Sequence, residues 1–417
     1  MVKTCTPFIA ANDLDERTIA QFNDCIKEPY VVDAALMPDA HSGYVAPIGS
    51  VLVTKGFVVP SWVGYDIGCG VTAVRLHAKD LQKNILENRD EIYKEVQKVV
   101  PMGLGKLHNT SDIHRESIET FNNLLKILES RPHDPEVLSW IKKKALPCLG
   151  TLGEGNHFLE LGFATDEFSG ADTDEAWIIV HSGSRNVGHK VAEKYMKKSS
   201  GKEQGFEETH PLDVKSQMGQ EYLAMLDFGL EFALLNRLEM AKSAIEAIET
   251  IVKQKIEFVL WTNKNHNHAI PKRKLLSTVY VHRKGATPAK RGEKGVIPGN
   301  MRDGCYLVVG KGNKKFLESS SHGAGRKMSR SAAKKSISMK DFKDSMQGIT
   351  GTIAEGTLDE APDAYKNISK VMDLQKESVL VLSHIKPVIN WKGDVKSKLD
   401  AKRNAKQNKK KASDSSA

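Results

Sequence analysis

The chain has 417 residues and a formal net charge of +9, with 40% hydrophobic and 27% charged residues, ordinary proportions for a globular enzyme of one large or two average domains. No apolar run approaches the ~20 residues that a membrane span requires, and the opening MVKTCTPFIAANDLDERTIAQ lacks the basic and apolar regions of a secretory signal, so a cytoplasmic protein with no membrane contact is expected. Five scattered cysteines, Cys5, Cys25, Cys69, Cys148 and Cys305, contain no CxxC pair, which argues against a disulfide scaffold.

In chain order, residues 46–60 (APIGSVLVTKGFVVP) are rich in Val and broken by Gly and Pro, which reads as strand and turn, and the following SWVGYDIGCGVTAVRL repeats that texture. Helical periodicity predicts an early block over residues 80–100, 111–130 and 135–144. Strand-like runs return at Ala176–Val180, Phe258–Thr262, Ser277–Val281 and Tyr306–Val309, and the amphipathic stretch Leu212–Lys255 predicts one or two helices. Helix patterns over 327–346 and 361–376 precede a final strand, Ser378–Leu382. Beyond Gly393 the chain holds eight Lys or Arg against three Asp and almost no large apolar residue, so residues 394–417 cannot offset their ordering entropy and are expected to be a disordered Lys-rich tail. That tail carries +5 of the net charge. The mildly basic remainder favours phosphate-bearing partners, and the tail itself reads equally as an RNA-attracting arm or a solubilising end.

Chemically capable side chains sit at strand ends flanked by Gly, in five places: YDIGCG (Asp66, Cys69), GEGNHFLEL (Asn156, His157, Glu160), VHSGSR (His181, Arg185), NHNH (His266, His268) and SSSHGAGR (His322, Arg326). A thiolate and a carboxylate beside several imidazoles suit Zn²⁺, Mn²⁺ or Fe²⁺. Each residue alone has a bland reading. Cys69 would be a buried structural thiol, His157 and His181 satisfied structural histidines, and the His266 and His268 pair a polar turn. Their shared Gly-rich flanks favour one metal-centred site. In SSSHGAGR an imidazole nucleophile stands beside guanidiniums able to bind phosphates and neutralise developing charge; the alternative is a helix start with a solvated basic face. No GxxxxGK[ST] loop and no KxDG motif are present, which disfavours the nucleotide chemistry those motifs support.

From MPDAHSGYVAPIGS at 37–50 to WKG at 391–393 the sequence resembles the RtcB family of RNA ligases, which join a 3'-phosphate or 2',3'-cyclic phosphate RNA end to a 5'-hydroxyl end. The resemblance implies an α+β fold of mixed sheets surrounded by helices, in a single catalytic domain over residues 1–393. It implies two Mn²⁺ ions, one held by Asp66, Cys69 and His157 and the other by Cys69, His181 and His266, with Cys69 bridging. The His-Asn order selects His266 over His268. His322 matches the histidine that carries GMP. Asn156 and Glu160 match GTP contacts, Tyr365 and Lys392 the guanine pocket, and Arg185 and Arg326 match phosphate or RNA contacts. In IPGNMRDGCYLV, Asn300 and Cys305 stand where the family commonly has GTP-contacting Ser, a loss of two hydroxyls that bears on guanine selectivity.

The implied reaction transfers GMP from GTP to His322, then to the RNA 3'-phosphate, after which the 5'-hydroxyl displaces GMP; a cyclic end is first opened by hydroxide that the metals activate. The expected partners are RNA with such ends and, where one is required, an archease-type activator. Two rival readings are a metal-dependent phosphoesterase acting on RNA 3' ends and an RNA-binding repair factor with a degenerate site.

Overall fold

A computed structural model describes residues 8–11, 14–165, 174–274 and 277–393; the expected disordered tail, 394–417, lies outside the described residues. Seven antiparallel strands are hydrogen-bonded in the order Lys294–Pro298, Cys305–Gly310, Val379–Trp391, Phe158–Ala164, Glu175–Ser182, Gly70–His77 and Glu257–Asn265, with Thr350–Gly351 added beside Val379–Trp391. The two ends of this sheet approach one another. The Thr262 hydroxyl donates to the Lys294 carbonyl at 3.2 Å and Lys264 pairs with Glu293, so the sheet nearly closes into a barrel around Val71, Ala73, Ile179, Leu307 and Ile385.

A second sheet has the order Phe8–Ile9, Val31–His41, Ile48–Lys55, Ser277–Lys284 and Asn267–Lys274. Its last strand begins where Glu257–Asn265 of the barrel ends, with only His266 between them. That residue therefore stands at the junction of the two sheets. Along the barrel lies the helix Gln217–Val252, capped at its N-terminus by the Ser216 hydroxyl, which accepts from Gly219 N. Met240, Ala244, Ile245 and Ile248 pack on Val74, Leu76, Ile178 and Val180 of the barrel, while Tyr222, Met225 and Phe232 pack on Val187, Val191 and Tyr195 of the helix Asn186–Ser200.

The α+β class is what the structure shows. Several element expectations need correction. The strand texture over 61–76 includes a short helix, Pro60–Val63, started by Pro at its first position, and a loop before Gly70. The helix expected within 212–255 is there as a single one of 36 residues, its periodicity blurred because most of its circumference is buried. The early helix over 80–100 divides at Asn88 into Leu81–Glu87 and Arg89–Val99. Residues 327–346 divide into Arg330–Ser336 and Met339–Ser345, each with its own serine cap, Ser329 and Ser338. The final strand runs on to Trp391. The helices Glu16–Ile26 and Asn186–Ser200 and the strands Val31–His41 and Phe158–Ala164 were not anticipated; Val31–His41 is buried on both faces over most of its length, so it shows no alternation.

Candidate active site

The loop between Pro60–Val63 and Gly70–His77 delivers Asp66 and Cys69. Ile67 between them is fully buried, which contributes about 1.5–3 kcal/mol to fixing the loop. Its carbonyl accepts from the Ser184 hydroxyl at 2.5 Å and from Ser184 N at 3.2 Å. Gly68 has φ of +73°, and a Cβ there would lie 2.6 Å from the Ala233 Cβ, so glycine is required for the helix to approach. At the head of Phe158–Ala164 stands His157, near the end of Glu175–Ser182 stands His181, and His266 occupies the junction of the sheets.

These elements bring the five expected ligands together. His157 Nε2 lies 3.0 Å from Asp66 Oδ2 and 3.4 Å from Cys69 Sγ; His181 Nε2 lies 3.2 Å from Cys69 Sγ and 3.3 Å from His266 Nε2. The groups fall into two triads sharing the thiol, Asp66–Cys69–His157 and Cys69–His181–His266, each with its ligand atoms within 4.8 Å of one another. Burial and nearby positive charge hold His181 and His266 well below the usual imidazole range, so both are neutral donors. Two neutral Nε2 atoms directed at each other suit a shared electrophile. Burial would raise the Asp66 carboxyl, but His157 outweighs it and holds Asp66 down to about 2. Burial and Asp66 push the Cys69 thiol well up, so a metal must displace its proton. The donor set therefore fits two divalent transition-metal ions. His181 Nδ1 faces the Asn156 carbonyl at 3.1 Å, which aims Nε2 inward. Asn267 bridges the loop and the second sheet, donating to the Asp66 carbonyl and accepting from Gly285 N. His268 is buried elsewhere, across from Arg283, and belongs to neither triad.

Beside the triads, His322 follows the short strand Ser319–Ser321, its ring centroid 5.0 Å from that of His266. Asp39, at the end of the unanticipated Val31–His41 strand, is fully buried. Its Oδ2 meets His322 Nδ1 at 2.6 Å and accepts from the His322 and Gly323 amides at 3.1 and 3.3 Å. This pairing favours the tautomer with Nδ1–H on Asp39 and leaves the Nε2 lone pair for chemistry. Sequence reasoning assigned Asp39 no role, though the MPDAHSG motif contains it. His41, two residues on, has its ring stacked 6.3 Å from His322 and its Nδ1 against the Asp39 carbonyl.

His322 opens onto a cleft of about 270 Å³ that Asn156, Glu160, Asn300, Arg326, Tyr365 and Lys392 also line. At its floor Glu160 accepts from Asn390 Nδ2 at 2.9 Å, and burial pushes its carboxyl up to about 8. Cys305 is fully buried behind Glu160, its thiol 3.5 Å from Oε1, and does not line the cleft. Asn300 spends its side chain on its own turn, donating to Asp303 and accepting from the Arg302 and Asp303 amides.

Glu360, which sequence reasoning missed, is the hub of the far wall: Lys392 at 2.9 Å, Arg330 at 2.7 Å, Arg326 at 3.1 Å and the Tyr365 hydroxyl at 2.5 Å all meet it. Burial opposes its ionisation, yet Lys392, Arg330 and Arg326 hold the carboxyl down to about 2. Arg326 also donates to the Asp359 and Met328 carbonyls and stacks over Tyr365, so its guanidinium is committed inside the protein. Arg185 stands apart from the cleft, at the start of Asn186–Ser200 with φ of 56°, donating to the Thr151 hydroxyl.

The family model described as tRNA-splicing ligase RtcB matches residues 21–393. The RNA-splicing ligase RtcB of Escherichia coli (strain K12) is 32% identical over 89% of this chain and 93% of its own. The tRNA-splicing ligase RtcB of Methanococcus maripaludis is 31% identical over 86% and 87%, and that of Thermococcus kodakarensis 29% identical over 87% and 88%.

Proposed function

The chain belongs to the RtcB family of RNA-splicing ligases, and on that footing we propose that it joins RNA 3'-phosphate or 2',3'-cyclic phosphate ends to 5'-hydroxyl ends, using GTP and Mn²⁺ through a histidine–GMP intermediate. The setting is RNA repair or tRNA splicing in the cytoplasm. The observation that carries this reading is the single carboxylate of Asp39 fixing Nδ1 of His322 while its ring faces the paired ligand triads.

Asp66, Cys69 and His157 would hold one ion, and Cys69, His181 and His266 the other. When bound, the ions supply charge neutralisation for phosphate oxygens. His322 Nε2 attacks the α-phosphorus of GTP, the N–P bond forms, the bond to the bridging oxygen breaks, and pyrophosphate departs with the electron pair. Asp39 keeps the Nδ1 proton and stabilises the positive charge that develops on the ring. An oxygen of the RNA 3'-phosphate next attacks the same phosphorus, returning neutral imidazole and leaving RNA capped by GMP. The 5'-hydroxyl then attacks the RNA phosphorus and gives its proton to solvent, the bond from that phosphorus to the oxygen bridging to GMP breaks, and GMP leaves with the electron pair, sealing the strand. At the base end of the cleft, Glu160 as a carboxylate accepts from the N1–H and exocyclic amine of guanine, while Tyr365 and Lys392 form the opposing wall. No helix among the described residues is long and apolar enough to cross a membrane.

Incubation with Mn²⁺, GTP and a labelled pair of RNA strands, one ending in 3'-phosphate and the other beginning with 5'-hydroxyl, tests the reading. GTP-dependent appearance of the joined strand is expected. Release of the 3'-phosphate without joining would replace ligation with phosphoesterase chemistry.

A further inference from the structure

From the active-site histidine a two-stranded ribbon leads outward. Ala286, Thr287 and Pro288 pair with Ser321, Ser320 and Ser319, and a Cβ on Gly285 would lie 3.1 Å from His322 Nδ1. Beyond the ribbon the pairing continues, with Ala289 N donating to the Glu318 carbonyl, and two loops pack against each other there. Gly292 N donates to the Gly310 carbonyl, Gly312 N donates to the Ala289 carbonyl, and a Cβ on Gly312 would lie 2.9 Å from Arg291 N. These loops carry Lys290 and Arg291 on one side and Lys311, Lys314 and Lys315 on the other, all exposed.

The charges on this platform are largely unbalanced. Lys290, Arg291 and Lys315 make no ion pair among the described residues. The Lys311 side chain donates to the Lys376 carbonyl at 2.6 Å and meets no carboxylate among the described residues. Of the carboxylates nearby, Glu293 is taken by Lys264, and Glu318 by both Lys272 and Lys314; Glu377 is exposed at the margin, where its carbonyl accepts from Asn313. Three extended residues on each strand, 286–288 and 319–321, separate this platform from His322, a reach of ~10 Å at ~3.3 Å per residue. The distance spans a few nucleotides of a strand whose end lies at the histidine. By contrast, exposed cations such as Lys83 and Arg115 are matched by Glu87 and Glu119 one helical turn further on.

We propose that the loops 289–294 and 310–315 form a docking platform for the phosphate backbone of the RNA substrate, holding the strand a few nucleotides from the join while its end lies against His322. This rests on the ligase reading for the identity of the polyanion. Closely spaced cationic side chains, most of them without a carboxylate partner, suit a backbone of phosphates recognised by charge and not by base.

The test compares wild type with the variant carrying Lys290→Gln, Arg291→Gln, Lys311→Gln and Lys315→Gln, whose side chains are solvent-facing. RNA affinity is measured against salt concentration with a hairpin long enough to cover both sites, and joining is measured with this RNA and with ends only three nucleotides long. The expected result is RNA affinity at least tenfold weaker at about 150 mM salt, with a slope of log affinity against log salt shallower by about 2–3, since each single-strand phosphate contributes about 0.7. GMP transfer to His322 and joining of the short ends should stay within about twofold of wild type. An unchanged slope and affinity would overturn the proposal, as would an equal loss with long and short RNA, which would mean a general field at the active site. Wild type that binds RNA with the steep slope yet forms no GMP adduct would refute the ligase chemistry while leaving the platform standing.

Discussion

Asp39 touches His322 with one oxygen that also accepts two backbone amides, so the imidazole and the Gly-rich turn after it are set by the same carboxylate. Replacing Asp39 with Asn keeps the shape and removes the charge that fixes the tautomer. The rate of GMP transfer should fall by about 10²–10⁴-fold, as when the orienting carboxylate of a catalytic histidine is neutralised, with little change in GTP affinity; single-turnover labelling with GTP measures both. At the other end of the cleft, Glu160 is protonated up to about pH 8 in the free protein because it is buried. Guanine requires the carboxylate form, so binding releases a proton. Affinity for GMP should therefore rise with pH, weakening by about tenfold for each pH unit below 8 and levelling above it. Calorimetry between pH 7 and 9 reads this directly, and Glu160→Gln should flatten the profile; a flat profile in the wild type would remove Glu160 from guanine recognition. The residue types in HGAGR, GEGNH and YDIGCG pointed to side chains that the structure brings together, because His, Cys and Asp between glycines are poorly explained by packing alone. Asp39 and Glu360 escaped notice because a lone acid in a mixed sequence carries no signal until its partners are known.

The helix Gln217–Val252 supports the two candidate ligand triads through one side chain. Arg237 is fully buried and donates to the Gly68 carbonyl at 2.9 Å, the Ser182 carbonyl at 2.8 Å and Asn265 Oδ1 at 2.7 Å, joining the three segments that carry Cys69, His181 and His266. It also donates to Thr72 Oγ1 and Asn263 Oδ1. Lysine keeps the charge but cannot span this fork. Arg237→Lys should therefore weaken Mn²⁺ binding by about 10–100-fold, the usual cost of losing an orienting partner behind metal ligands, in a protein whose circular dichroism is unchanged; metal titration followed by calorimetry provides the measurement. Nothing in the sequence set Arg237 apart from other arginines on a long helix. Its burial depends on the loop and strand around Gly68 and Thr72, 169 and 165 residues away in the chain, together with Ser182 and Asn265.

Across the whole molecule, the nearly closed barrel and the five-stranded sheet meet at His266, so metal ions held by the two triads would link both sheets with the loop that the long helix supports. Mn²⁺ should consequently raise the thermal unfolding midpoint, by the equivalent of about 2.7 kcal/mol at a metal concentration a hundredfold above its dissociation constant. Cys69→Ala, which removes the ligand common to both triads, should abolish the shift in a melting experiment. A mixture of helices and strands was legible from short Val-rich runs alternating with helical periodicity, and the resemblance to the family implied the α+β class; the order of the strands was not legible, because their pairing joins segments such as Phe158–Ala164 and Val379–Trp391 that are distant in sequence. The resemblance to the family gave the ligand set, and the structure places those side chains within reach of one another. The central claim is that His322 carries the nucleotide. Purified protein incubated with Mn²⁺ and α-labelled GTP, followed by mass mapping, should show GMP on His322 and none on the His322→Ala variant; label on another residue, or undiminished joining of RNA by His322→Ala, would contradict it.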